Sequence, residues 1–408
     1  MRLSPTWKTC KVPLPGSARD PRVEAGDPPT GSIFKQVSGG DALWKGASRS
    51  VFLMCSLWRI SLFALLAAAA FCHAAESPEV SSKIFFATDN ASLGPGRRVS
   101  GAVVQRMVDR LVMRLTEKPT VAEAWRSLVE GKDRIGIKVA AAGGPVSGTN
   151  PEVVDAIVAG LSEAGIPPSR IIVWDRNLQD LVAAGYRKDG ARYQLRWVDP
   201  VKGYDLKAQV SAPVLGKLIW GDSGFGSKAE SRFVDFLGTG DQLSSKSYYS
   251  NILSKEVTKI INVPSLTDSF LTGVNGALAN MVLPNLDNWR RFTKPPSYGD
   301  PYLAEIYADA MIHDKVVLTI MDGLVLQYAG GPFANPGFLL DHFTLYASRD
   351  PVAIDATAAR LLDEARGPSK LPGLAPMTSW LDSAHAAGLG NPGENQIELI
   401  RVGDGGLR

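Results

Sequence analysis

Hydrophobic positions change period several times along this chain, and each change predicts an element. From Arg97 to Leu115, Val99, Val103, Met107, Leu111 and Leu115 recur at helical spacing, predicting an amphipathic helix. Thr120-Val121-Ala122-Glu123 is a capping box that opens a second helix to about Glu130. Arg134 to Val139 is a continuous apolar strand, and Asn150-Pro151 starts a helix that runs through Ala164 until Gly165 stops it. Arg170 to Trp174 is the next strand, ending in Asp175, and Asn177 to Tyr186 a helix. This alternation predicts an α/β fold built on a mainly parallel sheet covered on both faces.

Between Tyr193 and Asp241 the pattern shortens to alternating stretches such as Leu195-Arg196-Trp197-Val198, predicting a small antiparallel extension or inserted lobe over 193–241. The α/β rhythm returns with a strand at Thr258 to Val263 and a helix near Gly276 to Val282. A loop rich in Pro, Asn and Trp follows, then a helix from Tyr302 to Ile312 and a strand from Lys315 to Met321 that ends in Asp322-Gly323. The chain closes with a helix over Thr378 to Ala387 and a strand over Ile397 to Val402.

The segment Asp341 to Leu362 is the most informative. A strand (Phe343 to Ala347) leads to Ser348-Arg349-Asp350-Pro351 and a helix. Asp350 before proline is a helix cap, because its carboxylate accepts orphan N–H bonds and proline suits the first helical position. Asp355 is not explained that way. It shares a helical face with Val352, Ala356 and Ala359, which predicts packing against the sheet, and a buried carboxylate needs a partner.

The beginning of the chain does not share these periods. Residues 1–53 are rich in Pro, Gly, Ser and charge, and predict a mis-assigned or disordered extension. Met54 to Arg59, the apolar run Ile60 to Phe71 and His73-Ala74-Ala75 then describe a signal peptide over 54–75, with translation from Met54 and cleavage after Ala74 or Ala75. The competing reading is a genuine tail and a membrane anchor, for which the run is short of the roughly 20 residues a span needs. Export to the periplasm or medium, with no stable membrane anchor after cleavage, is the expectation.

All three cysteines (Cys10, Cys55, Cys72) precede the cleavage point, so residues 76–408 have no means of ligating an iron–sulfur cluster or a cysteine-bound zinc. Removing the leader's 9 Lys+Arg and 4 Asp+Glu from the chain's 44 and 41 leaves 35 and 37, a net of −2. The basic balance belongs to the leader, and a nucleic-acid partner is not expected.

Ligands of open parallel sheets bind beyond the carboxyl ends of the strands. Asp175, Asn262, Asp322, Ser348 and Asp350 are all predicted at strand ends, with Lys138 inside an apolar strand near the same edge. Lys138, Asp322 and Asp355 are the candidate catalytic residues. Asn262, Asn280 and Ser348, with the backbone of Gly330 and Gly331, are candidates for binding a small polar molecule. Asp175, Asp322 and Asp350 form an oxygen-rich set suited to Mg²⁺ or Ca²⁺. Each also has an ordinary structural reading as a turn former, a cap or a snorkelling lysine.

Gly136-Ile137-Lys138, Asn150 to Val154, Ile261-Asn262-Val263-Pro264, Leu271 to Leu278, Asp322-Gly323 and Ala347 to Asp355 together resemble the domain of unknown function 362 family. The resemblance runs from about residue 97 to 366. It implies no established activity. Some members of that family carry ferredoxin-like modules, which these cysteine-free residues cannot reproduce. Two places depart from its pattern: Leu266-Thr267-Asp268 and Ala279-Asn280 stand where the family often has Lys and His, and Lys-Asn.

Three functional classes compete. The first is a divalent-metal-dependent enzyme acting on a small polar substrate. A binding protein for such a molecule, without catalysis, is the second. The third is a serine esterase in which Ser223 attacks, His385 takes its proton and Asp382 orients the histidine. The histidines His313, His342 and His385 lack metal-ligand spacing, and His342 sits beside Asp341 at a strand start.

Overall fold

The structure, a computed structural model, describes residues 82–187, 192–210, 219–220, 243–244 and 247–403. The extension and signal-peptide expectations for residues 1–75 lie outside the described residues, as does Ser223.

In chain order the strands are β1 (Ser82–Thr88), β2 (Ile135–Val139), β3 (Ile171–Asp175), β4 (Gln194–Trp197), β5 (Tyr204–Gln209), β6 (Ile219–Trp220), β7 (Leu243–Ser244), β8 (Tyr248–Ser250), β9 (Lys259–Val263), β10 (Ser265–Ser269), β11 (Gly273–Val274), β12 (Val316–Gln327), β13 (Leu339–Ser348) and β14 (Ile397–Arg401). The helices that matter here are α1 (Gly101–Thr116), α2 (Val121–Arg126), α3 (Gly144–Ser147), α4 (Pro151–Glu163), α5 (Leu178–Ala183), α6 (Ala277–Val282), α7 (Tyr302–Tyr307), α8 (Pro351–Arg366) and α9 (Trp380–Ala386).

The main sheet has ten strands in the order β14-β1-β13-β12-β9-β2-β3-β4, with β10 joined to β12 and β11 to β10. On the main path only β13 runs against its neighbours, so the sheet is mostly parallel as the sequence predicts. Alternation along the strands feeds two layers. Ile135, Ile137, Ile171, Val173 and Ile261 pack into a core with α1, α2 and α4. Ile172, Trp174 and Ile260 point to the other face, under α6, α7 and α9, while Ile84, Met321 and Tyr346 meet α8 there. Near-continuous apolar strands therefore have both faces buried.

Three expectations need correction. Leu195 to Trp197 belong to β4, which pairs parallel with β3 at the sheet edge rather than to an antiparallel lobe; the small antiparallel sheets are β5–β8 and β6–β7. Asp322 is not a strand end: β12 continues to Gln327 across an irregularity at Gly323. The third concerns direction. Because β13 is antiparallel, Ser348 and Asp350 leave the sheet at the amino edge of the parallel strands, where Asp350 Oδ2 accepts from Ser82 Oγ and from the Asn391 N–H.

Candidate functional site

Lys138 is held on the interior of β2, wholly buried between the sheet and α6. Its ammonium has three N–H bonds, and the fold supplies three acceptors: the Val139 carbonyl at 2.6 Å, Asp175 Oδ1 at 2.8 Å and Asn280 Oδ1 at 2.9 Å. Burial pushes the lysine below its ordinary range, opposed by the Asp175 carboxylate beside it. Asn280 Nδ2 in turn donates to Asn262 Oδ1 at 2.8 Å, and Asn262 Nδ2 to the Ala277 carbonyl at 2.9 Å. β2, β3, β9 and α6 are thus stitched by one buried polar network.

Asp355 joins this network from the far side. Its carboxylate accepts from the N–H groups of Ala277 and Leu278, the first two residues of α6, at 2.5 and 3.0 Å. Gly276 makes this possible, since a Cβ there would sit 2.0 Å from Asp355 Oδ1. Burial raises the Asp355 carboxyl to about 7, with the two N–H bonds pulling the other way and Asp350 adding to the rise. The expected partner of this carboxylate is therefore a helix start and not the sheet or a cation.

The carboxylates expected to hold a metal do not converge. Asp175 belongs to Lys138 and also accepts from the N–H groups of Ala141 and Arg176. Asp322 Oδ2 accepts from the Asn150 N–H at 2.8 Å and Asn150 Nδ2 at 2.9 Å, tying β12 to the start of α4. That bond explains why Asn150 does not cap α4 with its own side chain. Burial raises Asp322, against these donors. Asp350 caps α8 at the opposite sheet edge through Val352 and Ala353, both at 2.8 Å. Among the described residues, no three His, Cys, Asp or Glu side chains are grouped so as to hold a metal ion.

Other expected ligand groups are similarly committed. Ser348 Oγ donates to the Lys83 carbonyl and accepts from the Asp350 N–H. The Gly331 N–H donates to Asp268 Oδ1 at 2.8 Å, so the Gly330-Gly331 loop is folded onto β10 instead of presenting its donors to an anion. His385 Nδ1 donates to the Gly390 carbonyl at 2.8 Å and is not directed at Asp382. His342 Nε2 meets Tyr346 Oη at 2.7 Å, away from the lysine network.

A cavity of about 270 Å³ opens above Lys138 at the carboxyl edge of β2 and β3. Asp175 and Asn280 form part of its polar floor, and Leu271, Asn275 and Ala279 extend the wall. Its rim is aromatic and cationic, from Phe270, Phe333, Trp289, Arg176 and Arg290. Of the expected residues, Lys138, Asp175, Asn262 and Asn280 come together at or beneath this cavity. The rim residues were not predicted. Phe270 carried a signal, as a large apolar residue inside a polar turn (Asp268-Ser269-Phe270), and Trp289 another, in the Pro- and Asn-rich loop.

The motifs that build this floor, Gly136-Ile137-Lys138, Asn262 and Leu271 to Leu278, fall within the part of the chain with a recognisable family. The family described as Domain of unknown function (DUF362) matches residues 135–360. The chain belongs to this family. As a DUF362 member it has the mixed, mostly parallel α/β sheet with its small antiparallel additions. No curated protein matches the chain. A crystal structure of a protein from Thermotoga maritima is similar at 11% identity and a TM-score of 0.30, covering 55% of this chain and 50% of that one. The chain therefore spans half the length of that protein.

Proposed function

We propose that this DUF362 chain is an exported protein that binds a small organic molecule in the cavity above Lys138, using Asp175 to accept a hydrogen bond from it. The observation that carries this reading is the commitment of the floor. All three Lys138 N–H bonds are used inside the protein, so the lysine fixes Asp175 and Asn280 rather than moving a proton. A carboxylate accepts about four hydrogen bonds. The donors on Asp175 are the Lys138 ammonium and Arg176 N–H at Oδ1 and the Ala141 N–H at Oδ2, which leaves Oδ2 room for one more. A rigid acceptor in a mostly apolar recess is the arrangement of a recognition site.

The test is a fragment screen by ligand-observed NMR on the full mature chain and on Ala142→Trp. Ala142 lines the cavity from a half-buried turn, so the indole fills the space. Fragments bearing an N–H or O–H donor should bind the parent chain, and lose about tenfold or more in affinity in Ala142→Trp, with little change in melting temperature. Equal binding to both chains would remove the cavity from consideration. Export rests on the leader alone; N-terminal sequencing of secreted protein should begin at Ala75 or Glu76, and a start within residues 1–53 would overturn it.

A further inference from the structure

We propose that the molecule bound in this cavity carries a planar aromatic or heteroaromatic ring, which lies on a ledge formed by Phe270 and Phe333. This rests on the reading of the cavity given above and adds the chemical class of its ligand. Phe270 and Phe333 are 56% and 58% exposed, and their rings stack on each other with centroids 6.4 Å apart and planes inclined by 30°. A single exposed apolar residue is ordinary, but two phenylalanines meeting at the mouth of a cavity make a contiguous apolar surface next to a polar floor.

The ledge is built on rigid supports. The Phe270 N–H donates to the Gly331 carbonyl at 3.1 Å, so the turn bearing one ring is bonded to the loop bearing the other. That loop is seated on β10 through Asp268, which is 5% exposed, and a Cβ at Gly331 would fall 2.1 Å from the Asp268 carbonyl oxygen. On the other side, the fully buried Gln327 donates from Nε2 to the Phe333 carbonyl at 2.9 Å and accepts from the Asn335 N–H at 2.8 Å. Two buried polar side chains thus fix the backbone that displays the rings. Surfaces fixed before binding lose little entropy when a ligand arrives.

The third aromatic residue of the rim is engaged differently. The guanidinium groups of Arg290 and Arg176 lie 4.9 and 5.6 Å from the Trp289 ring centroid, within cation–π range. The phenylalanine pair is therefore the platform for a ring. The cavity, at 270 Å³, is slightly below the roughly 300–1,000 Å³ of common ligand pockets, which limits the occupant to a small molecule.

Three probes separate the ring from the donor. Benzamide has a planar ring and an amide donor, cyclohexanecarboxamide has the same donor on a saturated ring, and methyl benzoate has the ring without the donor. Titrations of the full mature chain should show benzamide binding about fivefold more tightly than cyclohexanecarboxamide, the advantage that aromatic stacking adds to buried area. The double variant Phe270→Leu/Phe333→Leu should keep its melting temperature, since both rings are exposed, and should bind the two amides equally. If the parent chain already binds both amides equally, and Ala142→Trp weakens both, the cavity reading stands and the aromatic ledge is overturned. A methyl benzoate affinity equal to that of benzamide, with the preference over the saturated ring retained, supports the ledge and overturns donor recognition by Asp175. Absence of binding by all three at tens of millimolar overturns both.

Discussion

Replacing Lys138 with methionine should cost the fold about 3–5 kcal/mol, the range for removing one member of a buried ion pair. The side-chain volume is nearly kept, so the loss comes from what the ammonium leaves behind. Asp175 would be left at 6% exposure without its cation, and Asn280 Oδ1 would lose its donor at 2% exposure. Urea denaturation of the two chains measures the difference. Asp175→Asn should also destabilise, because Lys138 then remains buried without a counter-charge. In the double variant the penalties should fail to add, by roughly 0.5–3 kcal/mol, as expected for groups in direct contact. Additive losses would mean that the pair is not coupled, and a Lys138→Met loss below about 1 kcal/mol would show that the lysine is not held as described.

The parts of this fold that were legible in the sequence are those governed by local rules. Asp350-Pro351 caps α8, Thr120 accepts from the Glu123 N–H at the start of α2, and the apolar strands around Lys138 and Asp175 form the parallel sheet. Lys138 was legible as part of a site for a related reason: a lysine within an apolar strand must find partners, and strand-end acids and amides are the available ones. The failures arise where a long-range direction decides. Nothing local to Leu339–Ser348 says that this strand runs antiparallel, yet that reversal moves Ser348 and Asp350 to the opposite edge. Asp322-Gly323 has the composition of a turn, but pairing with β13 carries β12 straight through it. The cavity rim was the hardest to foresee, because Phe270 and Phe333 come from segments about sixty residues apart, brought together by the Phe270 N–H bond to the Gly331 carbonyl and the Gly331 N–H bond to Asp268.

Asp355 should make the stability of this protein fall as pH rises from about 4 to about 7. Burial lifts its carboxyl to about 7 in the folded chain, against 3.8 for the ordinary group. Between those values the folded chain keeps a proton that the unfolded chain has released, so the unfolded state binds fewer protons and raising the pH favours it. The contribution is complete below about pH 4 and gone above about pH 7, and the shift corresponds to about 4 kcal/mol. Other buried acids move in the same direction, Asp268 and Asp322 among them, so total stability does not isolate this group. The difference between the parent chain and Asp355→Asn does, because the remaining acids are common to both. Denaturation midpoints taken from pH 4 to 8 should show the parent losing about 4 kcal/mol relative to Asp355→Asn across that span, then running parallel above it. Parallel curves throughout would mean that Asp355 is ionised over the whole range, and that the Ala277 and Leu278 N–H groups offset its burial in full. The outcome bears on the cavity as well, because the helix that Asp355 starts is the one that carries Asn280 to Lys138.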